Sequence, residues 1–205
     1  MSLTAKQGST IELIEAGNHH GVCVAVIDLG TQYNETFKKE QPKVMITWEL
    51  VDFPIPNENG NSKGFRLISK EYTASLNEKA NLYADLVSWR GRDFTEAELE
   101  GFNIKNVLGA NCLVNVIHIT KNKKTYANVS AVAKMPKGMT PKTATYLLLY
   151  DMDEDVEHIP EGVPDWIKDK IKKSLEWVAF ANPQGSDEPP ATDEDAAATE
   201  DDIPF

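Results

Sequence analysis

The sequence has few cysteines and lacks the common motifs of catalysis. It contains two Cys and four His residues. Cys23 and Cys112 both lie in apolar stretches, which predicts burial as small hydrophobic side chains rather than a disulfide or a metal site. No His has a Cys or His partner at metal-ligand spacing, and there is no phosphate-binding Gly loop, GxSxG or HExxH. We therefore expect a binding protein without a cofactor, and not an enzyme.

One acidic run is the best starting point for a catalytic alternative. Asp151, Asp153, Asp155 and Glu157 have the alternating carboxylates of a calcium loop. The run lacks the central Gly and the bidentate Glu that such a loop requires at its end. The alternative it leaves is a nuclease that uses the carboxylates of residues 151–157.

Long apolar runs and a targeting segment are also missing. The first ten residues, MSLTAKQGST, contain neither a basic region nor an apolar core of the kind found in signal peptides. No apolar run approaches the length that a membrane-spanning helix needs. The sequence predicts a cytoplasmic protein.

Charge is distributed very unevenly along the chain, whose net charge is −11. Residues 1–150 hold 17 basic and 15 acidic residues, a balance of +2, whereas residues 151–205 hold 4 and 17, a balance of −13. Because the local field governs phosphate binding, the first part can carry a basic groove despite the acidic total.

The C-terminal segment Asp187–Phe205 carries eight acidic and no basic residues and ends in Asp201-Asp202-Ile203-Pro204-Phe205. We call these last five residues the tip. An apolar tip with a free carboxylate on Phe205 predicts a peptide bound by a partner, with a basic pocket for the carboxylates and an apolar hollow for the ring. The alternative is an acidic solubility tail. We expect disorder from Asn182 onward.

Hydrophobic periodicity predicts five strands. The first is apolar throughout, which indicates burial on both faces or a strongly curved strand. In the second strand Val44, Ile46, Trp48 and Leu50 share a face that we assign to the core, with a stacking platform for bases as the alternative for Trp48. The predicted strands are Gly21–Leu29, Lys43–Phe53, Phe65–Tyr72, Ala110–Thr120 and Thr125–Val132.

Helices are predicted between the third and fourth strands and near the C-terminus. A helix from Leu76 or earlier ends at Gly91, and Thr95 with Glu98 forms a capping box for a second, short helix. This order predicts a five-stranded OB-fold barrel over residues 1–138. Residues 139–181 form an appendage whose single helix, Pro164–Phe180, packs on the barrel, and residues 182–205 form the tail.

Basic and aromatic residues fall where an OB barrel binds single strands, on its second and third strands and in the loops between strands one and two and between strands four and five. Cations neutralise phosphates and rings stack on bases. On the third strand we expect Arg66, Lys70 and Tyr72 to face nucleic acid and Phe65 to face the core. The candidates are Lys38, Lys39, Lys43, Lys63, Arg66, Lys70, Tyr72, Lys121, Lys123, Lys124 and Tyr126.

Some of these residues have a structural alternative. Lys121–Lys124 can be no more than a soluble hairpin turn, and Tyr126 can stack on bases or pack in the core. Arg90 and Arg92 can contact phosphate, although pairing with Glu96, Glu98 or Glu100 is the safer interpretation.

Three segments resemble phage-type single-stranded DNA-binding proteins: YTASLNEKANLYADLVSWRGRDFT, GVPDWIKDKIKKSLEW and the tip DDIPF. The tip, Asp201, Asp202, Ile203, Pro204 and Phe205, matches the bacterial and phage proteins of this class position by position. The resemblance implies an OB-fold core and a tail that recruits replication and repair enzymes.

The function implied is sequence-nonspecific single-stranded DNA binding in phage DNA replication or recombination, in the cytoplasm of a bacterial host. A homo-oligomer is left open. The alternative is an OB-fold protein–protein adaptor of a replisome that does not bind a strand itself.

Overall fold

Six strands and a few short helices make up the part of the chain that this computed structural model describes, residues 13–35, 38–59 and 62–183. The fold is mainly β. The strands are β1 Gly17–Asn34, β2 Lys39–Pro56, β3 Ser62–Thr73, β4 Asn111–Lys121, β5 Lys124–Ala133 and β6 Leu148–Tyr150. The helices are α1 Asn81–Arg90, α2 Glu96–Glu100, a 3₁₀ turn at Ile104–Val107, α3 Asp165–Ile171 and α4 Leu175–Ala181.

The strands form one open sheet with β1 at its centre. The five long strands pair antiparallel in the order β3-β2-β1-β4-β5, and β6 pairs parallel with β1. Residues 17–22 of β1 pair with β4, and its residues 21–34 pair with β2. Within the described residues β3 and β5 are therefore the two edges of the sheet.

The two faces of the sheet are covered by separate apolar clusters. The inner cluster contains Val44, Ile46, Trp48 and Leu50, as predicted, together with residues of α1, β4 and β5. The outer cluster joins Ala25, Ile27 and Met45 to Ile167 and Ile171 of α3. Consequently β1 is buried on both faces, which confirms the first of the two interpretations of its continuous apolar run.

Both cysteines are buried and free, in agreement with the prediction. Cys23 and Cys112 belong to the inner cluster. Burial raises the pKa of the Cys23 thiol to about 12, so the thiol is neutral and unreactive at physiological pH.

The helix predicted after β3 ends as expected but begins later. Gly91 adopts a left-handed conformation, φ 67°, and closes α1. The start lies at Asn81 because residues 75–80 form a local turn, in which Asn77 N donates to Ser75 Oγ and Lys79 N to Asn77 Oδ1. Such short polar side chains compete with helix formation by bonding nearby backbone.

The capping box predicted for the next helix is confirmed. The Thr95 hydroxyl accepts from Glu98 N, and the Glu98 carboxylate accepts from Thr95 N at 2.9 Å. The backbone N–H groups of Thr95 and Glu98, which have no acceptor within α2, are therefore both hydrogen-bonded.

The single C-terminal helix predicted over Pro164–Phe180 is wrong, because the chain forms two helices that meet at Ser174. The Ser174 side chain is fully buried and accepts from Trp177 N. Ser174 is therefore the N-cap of a separate helix, α4. The break turns Leu175 and Val178 out of the stripe that continues from Ile167 and Ile171, so both are exposed.

The C-terminal helices are fixed to β1 by polar contacts as well as by the outer cluster. The Glu176 carboxylate accepts from Thr31 N at 2.7 Å and from Thr31 Oγ1 at 2.6 Å.

No helix in the described ranges is long and apolar enough to cross a membrane.

Candidate nucleic-acid interface

A groove lies where the two edges of the sheet approach each other, between β3 and the β4–β5 hairpin. We call it the edge groove; its volume is about 560 Å³. β3 contributes residues 66–69, the hairpin contributes residues from both of its strands, and the chain before β1 forms one wall. The lining residues are Leu13, Ile14, Arg66, Leu67, Ile68, Ser69, Ile119, Lys121, Tyr126, Ala127 and Asn128.

Apolar side chains are unusually exposed along this groove. Leu67 is 47% exposed, Ile119 43% and Tyr126 48%. Tyr126 lies opposite Ile119 in the hairpin register, so the ring and the branched side chain are cross-strand neighbours. An exposed ring beside aliphatic surface suits the flat apolar face of a nucleobase.

Three lysines surround the turn at one end of the groove. Asn122 and Lys123 have φ of 52° and 62°, the left-handed conformation that a two-residue hairpin turn requires at both central positions. Lys121, Lys123 and Lys124 are exposed, and none forms a salt bridge with a described residue. The hairpin therefore presents three uncompensated positive charges next to Tyr126.

The other predicted cations lie in two further places. Lys38 and Lys39 are exposed at the β1–β2 hairpin, whereas Lys43 donates to Thr73 Oγ1 at 2.8 Å and to Gln41 Oε1 at 3.2 Å. None of these three lines the edge groove. Lys63 is exposed near the start of β3, three residues or about 10 Å along the strand from Arg66, which lines the groove.

The orientation predicted for β3 requires a correction. Arg66, Lys70 and Tyr72 do share a face, but it is the inner face of the sheet, and Tyr72 is only 3% exposed. The register explains this, because Tyr72 lies opposite Val44, whose face belongs to the core. Leu67, on the other face, is the exposed residue, so Tyr72 offers no ring for stacking.

Lys70 and Tyr72 instead converge on a buried aspartate of α1. Asp85 Oδ2 accepts from Lys70 Nζ and from the Tyr72 hydroxyl, each at 2.7 Å. Lys70 Nζ also donates to the Ser130 carbonyl at 3.1 Å, which links the β3 and β5 edges. We call these contacts the Asp85 network.

The electrostatics of the Asp85 network are those of a structural element. Burial, followed by the nearby Asp85 carboxylate, raises the pKa of Tyr72 far above its ordinary value, so the hydroxyl stays protonated and donates. Sequence reasoning missed Asp85. The signal was present, since Asp85 lies among Leu82, Leu86 and Trp89 on the buried side of α1, where an ionisable residue requires a partner.

The two arginines after α1 pair with Glu98, as the safer interpretation predicted. Arg92 donates to the Glu98 carboxylate at 2.7 and 2.9 Å, and Arg90 donates to the same group. These hydrogen bonds hold the pKa of Glu98 well below its usual range, and those from Arg92 have the largest effect. Glu98 therefore remains ionised throughout the physiological range.

The acidic run of residues 151–157 is engaged mainly by a lysine. Lys105 Nζ lies 2.6 Å from Asp151 Oδ2 and 2.5 Å from Glu154 Oε1. Among the residues that the structure describes, no group of three or more His, Cys, Asp and Glu side chains is placed to hold a metal ion.

Two comparisons of the sequence with known proteins give no match. No protein-family model matches the chain, and no curated protein sequence matches it. The predicted partner-binding residues, Asp201, Asp202, Ile203, Pro204 and Phe205, lie outside the described residues. The candidate interface therefore rests on the edge groove and the lysines around it.

Tyr126 gives a direct test of this interface. We expect Tyr126→Ala to weaken binding to single-stranded oligo-dT by about 1–3 kcal/mol, about 5- to 150-fold, because a stacking ring is lost. Tyr126→Phe should keep most of the affinity, since the phenyl ring still stacks. Tyr146→Ala is the matched control, because Tyr146 is also exposed but does not line the groove. Equal affinities for Tyr126→Ala and this control would contradict the stacking role.

Proposed function

We propose that this protein binds single-stranded DNA without sequence specificity, in phage DNA replication or recombination, and that its acidic C-terminal segment recruits partner enzymes. The observation that carries the proposal is the exposed Tyr126 beside three uncompensated lysines at the edge groove. Stacking on rings and neutralisation of phosphates are the two interactions by which proteins hold single strands irrespective of sequence.

An OB-fold interpretation of the sheet supports the proposal. β1 pairs with β2 on one side and with β4 on the other, and α1 lies between β3 and β4 in the chain. β3 and β5 approach each other across the Lys70–Ser130 hydrogen bond, where an OB barrel would close. In that interpretation the edge groove and the β4–β5 turn fall in the strand-binding region of the fold.

The chemistry of the groove favours nonspecific binding. Lys121, Lys123 and Lys124 act as point charges on flexible stems, so they contact phosphates without fixing a base. The ring of Tyr126 stacks on any of the four bases. Lys38 and Lys39, at the β1–β2 hairpin, extend the contact with the backbone in this proposal.

The amino-acid sequence alone supports the recruiting role and the phage context. The tip combines two carboxylates with Ile203, Pro204 and Phe205, which suits a partner pocket with a basic rim and an apolar floor. The resemblance to phage-type single-stranded DNA-binding proteins supplies the biological setting.

A titration of labelled oligo-dT tests the proposed function. We expect binding tighter than micromolar at low salt, with log affinity falling against log salt by about 0.7 for each phosphate contact. Oligo-dA and oligo-dC should bind within a few-fold of oligo-dT, and duplex DNA more weakly. Affinity weaker than micromolar at low salt would refute strand binding.

A replisome adaptor without strand binding is the second candidate, and an exposed apolar surface favours it. Trp166 is 58% exposed and flanks a cleft with Tyr146 and Leu148 on the outer side of the sheet. Exposed aromatic residues of this kind are enriched at protein–protein interfaces. The lysine variants considered in the Discussion separate the two functions.

Removal of Asp187–Phe205 is expected to raise the affinity for oligo-dT by about 3- to 10-fold at low salt. Its carboxylates, most of which precede the tip, compete with phosphates for the lysines of the groove, and screening should remove the difference as salt rises. The measurement is a side-by-side titration of the full and shortened chains, with removal of Asp201–Phe205 alone as a control that should give a smaller gain. Identical affinities at low salt would exclude competition while leaving recruitment intact.

A further inference from the structure

A second cavity lies at the far end of β5 from the hairpin turn. We call it the basic pocket; its volume is about 570 Å³, and it shares no lining residue with the edge groove among the described residues. α1 and the residues after it form one wall, and the chain that leaves β5 forms another. Its characteristic lining residues are Trp89, Arg90, Arg92, Phe102, Lys134 and Met135.

The pocket has a surplus of positive charge. Arg90, Arg92 and Lys134 line it together with one carboxylate, that of Glu98, which leaves a balance of +2. Both arginines share Glu98, and Lys134 forms no salt bridge with a described residue. An anionic ligand is therefore favoured at this site.

One arginine nitrogen behind the wall of the pocket has no hydrogen-bond partner among the described residues. Arg90 Nη1 is buried and has no hydrogen-bond acceptor within the described part of the chain. Arg90 Cζ lies 4.3 Å from the centroid of the Phe94 ring and 5.1 Å from that of the Phe102 ring. The two rings therefore hold the guanidinium in an apolar setting. A buried donor without an acceptor is costly, so the positive charge of Arg90 is incompletely compensated at this wall of the pocket.

Apolar side chains supply the remainder of the pocket. Phe102, Val107 and Met135 line it beside the ring of Trp89, whose Nε1 donates to the Asn111 carbonyl at 2.9 Å and holds the indole in place. A matching ligand has carboxylates next to aliphatic or aromatic groups. The tip, with two Asp followed by Ile, Pro and Phe, has this composition.

We propose that the basic pocket binds the tip of the same chain, residues Asp201–Phe205. The carboxylates of Asp201 and Asp202 lie at Arg92 and Lys134, and Ile203 and Phe205 occupy the apolar side. Charge complementarity selects this occupant, because Asp187–Phe205 carries eight acidic and no basic residues.

The connecting chain is long enough for this contact. From Pro183, the last described residue, to Asp201 is 18 residues, which can extend about 60 Å. A domain of this size has a radius of gyration of about 15 Å, so the tip can reach any point on its surface. Tethering keeps the local concentration of the tip in the millimolar range, and a weak contact is then largely formed.

Docking withholds the tip from other proteins until a partner displaces it. This consequence rests on the proposed recruiting role, but the docking itself requires neither recruitment nor strand binding. The basic pocket lies apart from the edge groove, so the contact holds only the tip and regulates recruitment. The six carboxylates between Asp187 and Glu200 still compete for the groove lysines.

Fluorine NMR of the full chain tests the contact, with 4-fluorophenylalanine placed at Phe205 alone. We expect a broadened resonance displaced from that of a free Asp201–Phe205 peptide, at a position that does not change with protein concentration. Arg92→Gln with Lys134→Gln should return the resonance to the free position. Lys121→Gln with Lys123→Gln removes the same charge at the edge groove and should leave the resonance displaced.

Three results would overturn the proposal. One is a wild-type resonance at the free position; another is a displaced resonance that the Arg92 and Lys134 changes do not move. The third is a return to the free position only in the Lys121 and Lys123 variant, which would place the tip over the edge groove. Circular dichroism verifies that the variants are folded, and oligo-dT titration of the same samples reports strand binding separately.

Discussion

Replacement of Lys121, Lys123 and Lys124 by Glu is expected to weaken oligo-dT binding by about 100-fold or more at about 0.1 M salt. Each lost phosphate contact reduces the slope of log affinity against log salt by about 0.7. At about 0.1 M salt this corresponds to an affinity about five-fold lower. Three contacts multiply to about 100-fold, and charge reversal adds repulsion. The measurement is a titration at several salt concentrations, in which the slope should also fall by about 2.

The matched control reverses three charges away from the edge groove, at Lys137, Lys172 and Lys173. All three are exposed, and the net charge changes by the same amount. We expect this control to lose only a few-fold in affinity, because long-range repulsion between exposed charges is screened. If both triple variants lost affinity equally, the hairpin would have no special role. An unaltered affinity in the hairpin variant would favour the adaptor function.

Periodicity and turn chemistry predicted the five long strands and the hairpin because both are local properties. They did not predict β6, a three-residue strand within the predicted appendage. The apolar run of β1 indicated burial on two faces, and Gly91 marked the end of α1. The break at Ser174 was not predictable from the stripe, since it depends on a buried hydroxyl that caps α4 after the chain has packed on β1. Tertiary packing decided where that helix ended.

The orientation of β3 shows a different limit of sequence reasoning. Its alternation correctly grouped Arg66, Lys70 and Tyr72 on one face, but either face of a strand with mixed side chains can be buried. The register with β2 decides between them, because paired residues point to the same side of a sheet. Trp48 had been assigned to the core, and Ile68 lies opposite Trp48.

In the candidate interface, too, the local features were predictable from the sequence and the contacts between distant segments were not. Lys121–Lys124 lie in a tight turn, so their exposure was predictable from the chain alone. The proximity of Tyr126 to Leu67 and Arg66 depends on how the two sheet edges approach each other. That approach is set partly by the Asp85 network, which joins β3, α1 and β5.

Asp85→Ala is expected to destabilise the fold by about 3–5 kcal/mol, the largest stability effect that we predict. The change leaves the Lys70 ammonium without its salt bridge and the Tyr72 hydroxyl without its acceptor. Lys70 and Asp85 are 17% and 11% exposed, so water can compensate only in part. The measurement is urea unfolding, in which the midpoint should fall with little change in slope. A loss below about 1 kcal/mol would mean that the network is solvated.

A fully apolar replacement of the network separates stability from strand binding. Lys70→Met, Tyr72→Phe and Asp85→Leu together remove every charge and hydroxyl of the three side chains, and most of the stability should return. The remaining loss is that of the long hydrogen bond, 3.4 Å, from Val132 N to Asp85 Oδ1. If Lys70 acts only within the fold, this variant binds oligo-dT with wild-type affinity and salt slope. If Lys70 also contacts a phosphate, the slope falls by about 0.7. The structure favours the first result, because the Asp85 carboxylate and the Ser130 carbonyl already engage the Lys70 ammonium.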